Sequence, residues 1–94
     1  MKTLKKVPIK PVCVEFIPPW EEMEEGTIYI SVEYKTASHK CLCGCGSPTI
    51  TPMTKDMWSF NLRNGKLSIS PSIGNFQFPC KSHYIITNNI ANFV

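Results

Sequence analysis

Cysteine and histidine are concentrated in two short segments of this 94-residue chain. The first segment, residues 39–46, begins with His39 and carries its cysteines in the pattern Cys-x-Cys-Gly-Cys-Gly, and the second is residues 80–84. Thiolate and imidazole are ligands that zinc prefers, and a structural zinc site usually has four of them in a tetrahedron. The two segments therefore predict one metal site that joins distant parts of the chain.

The ligands of this site can be assigned in more than one way. Because glycines within the first segment allow the loop to turn its thiolates inward, the favoured set is Cys41, Cys43, Cys45 and Cys80. A set of three cysteines with His39 or His83 stays open, as does a redox role of the thiols without any metal. The expected cofactor is Zn²⁺ with a structural rather than a catalytic role.

Histidines beside a metal loop can also act as general bases, because imidazole titrates near neutral pH. Serines occur close to them: Ser82 directly precedes His83, and Ser70 and Ser72 follow a predicted hairpin. A serine becomes a useful nucleophile when a base accepts its proton. From the residues alone, a structural role for any given serine is the simpler interpretation.

Length and composition predict a single zinc-containing β domain over residues 1–94, in which residues 1–25 carry no defined motif. A domain of this size buries a small core, so a bound structural metal would contribute much of its folding free energy. Lys2, Lys5, Lys6 and Lys10 crowd the N-terminus, while the remaining lysines and Arg63 are scattered, so the net charge of +3 forms no basic stripe with interleaved aromatics. We therefore expect no nucleic-acid partner.

The localisation expected from the sequence is cytoplasmic. Proline and lysine interrupt the apolar residues that follow the basic start of the chain, and no later run is long enough to span a bilayer. An odd number of cysteines also argues against a disulfide scaffold. We therefore expect no membrane association and reduced thiols that are available to a metal.

Hydrophobic patterning predicts a mainly β fold: a small antiparallel sheet, zinc-ribbon-like and stapled by the metal, with little helix. A helical turn is predicted within residues 20–25, and Cys13 is predicted to be a buried structural residue. Asn64-Gly65 and Asn88-Asn89 each separate two alternating runs and predict hairpins. The remaining predicted strands cover residues 12–17, 27–34 and 48–52.

A resemblance to a bacterial family, BubE, rests on three blocks of residues: His39-x-Cys41-x-Cys43-Gly44-Cys45-Gly46, then Pro71-Ser72-Ile73, then Cys80-x-Ser82-His83-Tyr84. Members of that family accompany operons for ubiquitin-like conjugation that also encode E1-like and E2-like proteins. The resemblance covers about the C-terminal two thirds of the chain.

This resemblance implies a zinc-containing, serine-dependent peptidase that processes or removes a ubiquitin-like protein at its C-terminus. It implies Ser72 as the nucleophile and His83 as its base. His39 would be the alternative base or a group that orients the site, and Ser82 the alternative nucleophile. The metal set would again be the four cysteines. The implied partners are the ubiquitin-like protein or its C-terminal tail, and the E1-like and E2-like proteins of the same pathway.

Three other functions compete with this interpretation. A catalytic zinc with three protein ligands would activate water, but no carboxylate adjoins the cysteine segments to act as its base. A non-catalytic zinc-ribbon-like module would present Trp58, Phe60 or Tyr84 to a partner protein. A zinc ribbon that binds nucleic acid lacks a concentrated basic surface.

Overall fold

A computed structural model describes residues 6–54, 57–74 and 82–93 of the chain. The described residues form nine strands: β1 (Lys6–Pro8), β2 (Lys10–Cys13), β3 (Thr27–Ser31), β4 (Thr36–Lys40), β5 (Pro48–Pro52), β6 (Ser59–Arg63), β7 (Lys66–Gly74), β8 (His83–Thr87) and β9 (Ile90–Phe93). Their helical structure is a single 3₁₀ turn, Trp20–Glu22, inside the predicted range. Within these same ranges, no helix has the length and apolar character that would let it cross a membrane.

The strands form two sheets. The five-stranded sheet has the order β1-β9-β8-β7-β6, and the four-stranded sheet has the order β2-β3-β4-β5. The predicted mainly β, antiparallel class is confirmed, with one departure: β2 pairs with β3 in parallel. A parallel pair needs a long return connection, and residues 14–26, which contain the 3₁₀ turn, provide one.

Both sheets contribute side chains to one hydrophobic core. Ile28 and Ile30 of β3 are buried in alternation, as are Leu67 and Ile69 of β7. Such alternation places one face of each sheet against the core. The core cluster is completed from both sheets and their connections by Ile9, Ala37, Cys41, Leu42, Ile73, Tyr84, Ile86 and Ala91.

Two tight turns connect β6 to β7 and β8 to β9, as predicted. Asn64 and Gly65 have φ angles of 54° and 75°, and Asn88 and Asn89 have φ angles of 47° and 66°. Positive φ at both central residues defines the type I′ turn, whose twist matches that of the flanking strands. Asparagine and glycine tolerate this conformation better than other residues, which explains why these dipeptides were informative.

The prediction of one strand over residues 27–34 was wrong in its second half. β3 ends at Ser31, and the following residues turn back into β4, a strand that the pattern did not predict. The Ser31 hydroxyl accepts a hydrogen bond from the Tyr34 backbone N–H (3.3 Å), and Lys35 has a φ of 50°. Val32 and Tyr34 are exposed because they belong to this turn rather than to the buried face.

The prediction of a strand over residues 12–17 also needs correction. β2 begins at Lys10 and ends at Cys13, well before residue 17. Cys13 is exposed, not buried. β2 is an edge strand of the four-stranded sheet, and residues on an edge strand are covered by neighbours on one side at most. The apolar run over residues 12–17 therefore indicated more burial than the fold provides.

Candidate active site and metal site

Residues 41–47, here called the Cys loop, connect β4 to β5. The last pair of the two strands is Lys40 with Pro48, and the Cys41 backbone N–H donates a hydrogen bond to the Ser47 carbonyl across the base of the loop (2.7 Å). Gly44 and Gly46 have φ angles of 97° and 79°. Only glycine adopts such angles without strain, so these two positions allow the loop to fold back on itself.

The Cys loop brings three thiols together. The Sγ atoms of Cys41, Cys43 and Cys45 all lie within 4.8 Å of one another, and the Sγ atoms of Cys41 and Cys43 are 3.4 Å apart. The Cys45 backbone N–H donates to Cys43 Sγ (3.4 Å), a contact that stabilises a thiolate. This cluster of soft donors can hold a metal ion, and its chemistry fits zinc.

The fourth predicted ligand, Cys80, lies outside the described residues. Among the described residues, the group of close ligand atoms consists of the three thiols and contains no histidine nitrogen. Ser82, however, lies at the loop: its Oγ atom is 3.0 Å from Cys41 Sγ. The segment that begins at residue 82 therefore reaches the Cys loop, while the choice between a fourth cysteine and a histidine stays a prediction.

Trp20 packs against the outside of the Cys loop. Its indole N–H donates a hydrogen bond to the Gly46 carbonyl (2.7 Å), and the Lys40 ammonium lies 5.3 Å from the centre of the indole ring. A cation over an indole face is attracted by the ring quadrupole. The 3₁₀ turn of the N-terminal region thus contacts the loop at its last glycine, a role that the sequence pattern did not indicate.

Ser72 and His83 meet on neighbouring strands of the five-stranded sheet. Ser72 Oγ is 2.6 Å from His83 Nε2, a distance typical of a nucleophile and its base. Both residues are half-buried. The arrangement can transfer the serine proton to the imidazole when His83 carries its own proton on Nδ1.

A register irregularity in β7 positions Ser72. Ile69 is paired with Ile86, and Ile73 is paired with Tyr84, so three residues of β7 lie opposite one residue of β8. Pro71 interrupts the ladder at this point because it has no backbone N–H. Irregularities of this kind bend a strand and redirect its side chains. Ser72 is therefore part of a distorted strand and not of a free loop.

Two further residues shape the surroundings of Ser72. The indole N–H of Trp58, just before β6, donates a hydrogen bond to the Ser72 carbonyl (3.4 Å). Gly74 is paired directly with His83, so the position across the ladder from the imidazole carries no side chain. Paired residues in an antiparallel ladder point to the same face, so Gly74 places no Cβ atom beside His83 on that face.

His39 lies in the core rather than beside Ser72. Its side chain is fully buried, and its Nε2 atom is hydrogen-bonded to the Tyr84 hydroxyl (2.7 Å), with the two rings edge to face. Its Nδ1 atom is buried without a hydrogen-bond partner. Burial lowers the pKa of His39 from its ordinary 6.5 to about 4, so the imidazole is neutral at physiological pH.

The aromatic residues proposed to face a partner protein differ in their accessibility. Tyr84 is completely buried, while Trp58 and Phe60 are partly buried and pack against the core. Tyr84 is the residue whose importance the sequence reasoning missed. Its alternation with Ile86 on β8, both buried, was the available signal that it faces inward.

A family model described as bacterial ubiquitination-like system serine protease (BubE) matches residues 13–94. This range contains the Cys loop, Ser72 and His83. No curated protein and no solved structure gives a significant match.

Proposed function

The chain belongs to the BubE family of bacterial ubiquitination-like system serine proteases, and we propose that it is a zinc-stabilised serine peptidase that processes or deconjugates a ubiquitin-like protein at its C-terminus. The observation that carries this proposal is the 2.6 Å contact between Ser72 Oγ and His83 Nε2. A serine with an adjacent imidazole is the minimal unit of nucleophilic hydrolysis. The family description supports the same reaction class.

In the proposed reaction, Ser72 donates its proton to His83 Nε2 as Oγ attacks the carbonyl carbon at the end of the ubiquitin-like tail. The proton then passes from the imidazolium to the departing amine or hydroxyl group, which leaves an ester between Ser72 and the tail. Water, deprotonated by His83, hydrolyses this ester and returns the serine to its starting state.

We propose that the substrate tail lies beside Ser72. The last pair between β6 and β7 is Ser59 with Ser70, so in the described part of the chain β6 does not extend along residues 71–74. An extended peptide along this part of β7 would pass next to Ser72 and beside Trp58, whose indole already bonds the Ser72 carbonyl, so the peptide would use the other backbone groups of β7, as in strand-addition complexes. The implied partners are the ubiquitin-like tail and the E1-like and E2-like proteins of the pathway.

The proposed metal set is Cys41, Cys43, Cys45 and Cys80. Cys80 precedes Ser82 by two positions, and Ser82 contacts Cys41, which supports a fourth ligand from this part of the chain. A zinc ion bound there would neutralise the thiolates and cross-link the Cys loop to the segment before β8. The reduced thiols that such a site needs favour a cytoplasmic location.

A cleavage assay on a ubiquitin-like protein extended beyond its C-terminal tail tests this proposal. We expect the zinc-loaded wild type to cleave and Ser72→Ala to be inactive, with fold and zinc content retained. Ser70→Ala is the matched control, because Ser70 lies two positions away on β7 and is exposed; it should cleave like the wild type.

Other outcomes of this assay identify the competing functions. Activity that survives Ser72→Ala but is lost on chelation, while the protein stays folded, would indicate a catalytic metal. If folded, metal-loaded wild type and variants all fail to cleave while binding the ubiquitin-like protein, the chain is an interaction module and the peptidase proposal is wrong.

A further inference from the structure

At the start of β8, the side chains of residues 82, 83 and 84 point alternately to the two faces of the sheet. His83 is half-buried and contacts Ser72, whereas its neighbours Ser82 and Tyr84 are buried. Period-two alternation directs residues 82 and 84 to the core and residue 83 to the opposite face. The proposed base therefore lies between two residues whose side chains point away from the catalytic pair.

Both neighbours of His83 make hydrogen-bond contacts with the region of β4 and the Cys loop. Ser82 Oγ lies 3.0 Å from Cys41 Sγ, and Tyr84 Oη lies 2.7 Å from His39 Nε2. His39 belongs to β4, and Cys41 begins the Cys loop directly after that strand. These two contacts, here called the inter-sheet clamp, join residues 82 and 84 to residues 41 and 39, so that the clamp holds the backbone on each side of His83.

The inter-sheet clamp restrains the backbone at His83, where a small displacement would change the distance to Ser72. Polar contacts inside an apolar core are strong, because the alternative is an unsatisfied buried group. The Tyr84 ring is further held by Phe93, with ring centroids 4.9 Å apart. A displacement of about 1 Å between reacting groups can lower the reaction rate by as much as about a hundredfold. The contacts of the clamp on both sides of His83 oppose such a displacement of its backbone.

We propose that Ser82 and Tyr84 are positioning residues, which fix His83 opposite Ser72 by anchoring the start of β8 to the Cys loop and to His39. This inference rests on the proposed peptidase function and adds to it. It assigns Ser82 a role as partner of Cys41 instead of a nucleophile, and His39 a role as partner of Tyr84 instead of a base. It also makes the geometry of the catalytic pair depend on the conformation of the Cys loop.

Single-atom variants test the clamp. Tyr84→Phe removes the hydroxyl but keeps the ring, and Ser82→Ala removes the contact with Cys41. We expect each to lower kcat by about tenfold to hundredfold while KM stays within about twofold, because the substrate site is unchanged. The rate at which a fluorophosphonate phosphonylates Ser72, with Oγ displacing fluoride from phosphorus, should fall by the same factor. Zinc content and the free energy of unfolding are measured for every variant.

Thr51→Val is the matched control. Thr51 is fully buried, and its hydroxyl donates to the Ala37 carbonyl (3.2 Å) within the β4–β5 pair. The substitution deletes a buried hydrogen bond at constant shape and lowers stability by a similar amount, without touching β8. Its kcat should stay within about twofold of the wild type. Equal kcat for Tyr84→Phe and Thr51→Val would overturn the positioning role of Tyr84.

Two variants of His39 test the hydrogen bond between His39 and Tyr84 from the histidine side. The Gln side chain can place an amide nitrogen near the position of His Nε2, whereas Leu cannot make a hydrogen bond. His39→Gln should therefore retain most of the wild-type kcat, and His39→Leu should match Tyr84→Phe. Equal losses in both His39 variants would overturn the inference.

The fluorophosphonate experiment separates this inference from the proposed function. If the wild type reacts with the fluorophosphonate no faster than Ser72→Ala, the serine peptidase proposal fails and the positioning roles fail with it. If the wild type reacts and the clamp variants react equally fast, only the clamp is wrong.

Discussion

Ser72 and His83 are separated by 11 positions in the sequence, and their side chains meet at 2.6 Å because β7 and β8 are adjacent strands. Neither a hairpin register nor residue spacing alone brings them together. The ladder between the two strands is irregular between Ile69 and Ile73, and Ser72 occupies that irregularity. The proposed catalytic pair therefore depends on a distortion of the sheet as well as on the identities of its two residues.

The assignment of His83 as the base predicts non-additive kinetics. His83→Ala and Ser72→Ala should each lower kcat/KM by about 10³-fold, and the double variant should be no worse, because the two residues act as one unit. Steady-state cleavage of an extended ubiquitin-like substrate measures this. A double variant that is slower than either single variant by a further large factor would show that the residues act independently.

Because Gly74 is paired with His83, we expect a side chain at residue 74 to have a steric effect on the imidazole. Gly74→Val would add a side chain on the same face as the imidazole, directly across the ladder. We expect kcat/KM to fall by about tenfold or more, as crowding shifts the imidazole away from Ser72, while the melting temperature changes little because valine favours strands. The melting curve and the cleavage rate are compared with those of Ser70→Ala. Unchanged cleavage in Gly74→Val would contradict the geometry described.

Because Trp20 contacts the Cys loop, we expect its fluorescence emission to depend on metal binding. In a Trp58→Phe background, Trp20 is the remaining tryptophan of the two in the chain, and its indole is bonded to the Gly46 carbonyl. Removal of the proposed zinc by a chelator should change the fluorescence emission of Trp20, because the loop would lose the ion that holds its thiolates together. Metal content is measured in parallel by mass spectrometry.

Single cysteine variants give the corresponding binding experiment. Cys43→Ser and Cys45→Ser should lose most of the bound metal, since each removes one of three close thiols. Cys13→Ser is the control, because Cys13 is exposed on β2 and is not part of this cluster. Full zinc content in Cys43→Ser and Cys45→Ser would contradict a metal site in the loop.

Burial of neutral His39 predicts a stability loss in mild acid. Its pKa is about 4 in the folded protein and 6.5 ordinarily, so the unfolded state binds the proton more readily between these values. The contribution of His39 to the free energy of unfolding is fully present above about pH 6.5 and falls by about 3 kcal/mol as the pH decreases towards 4.

Denaturant unfolding of the wild type and His39→Gln at several pH values measures this effect. The difference between the two profiles isolates the imidazole from the thiols, which release metal in acid in both proteins. The wild type should lose more stability than His39→Gln over this window. Parallel profiles would mean that protonation of His39 does not oppose folding.

We expect substitution of Asn89, in the turn between β8 and β9, to lower the stability of the fold strongly. Its side chain accepts a hydrogen bond from the Leu67 N–H (2.6 Å) and donates one to the Gly65 carbonyl (2.9 Å), so it ties two hairpin turns together. Asn89→Ala removes both bonds and places alanine at a φ of 66°. We expect a loss of about 2–4 kcal/mol in the free energy of unfolding.

The neighbouring residue provides the control for this turn. Asn88 also has a positive φ, 47°, but glycine adopts that angle freely. Asn88→Gly should therefore change stability by less than about 1 kcal/mol in denaturant unfolding. An Asn89→Ala variant as stable as Asn88→Gly would show that the side-chain bonds of Asn89 contribute little.

The features that depend on local chemistry could be predicted from the sequence. The type I′ turns at Asn64-Gly65 and Asn88-Asn89 follow from residues that tolerate positive φ. The Cys loop was also predictable, because its thiols are close in sequence and Gly44 and Gly46 permit the turn between them. The mainly β class follows from alternation within short segments.

The features that depend on contacts between distant segments could not be predicted from the sequence and are known from the folded structure. The parallel pairing of β2 with β3, the exposure of Cys13 and the turn after Ser31 depend on which strand lies at a sheet edge and where the chain reverses. The separate roles of the two histidines have the same origin: His39 and His83 are alike in sequence context, but packing buries one against Tyr84 and leaves the other beside Ser72. The pKa and the chemistry of an imidazole are set by its surroundings, and those surroundings arise when the two sheets pack together.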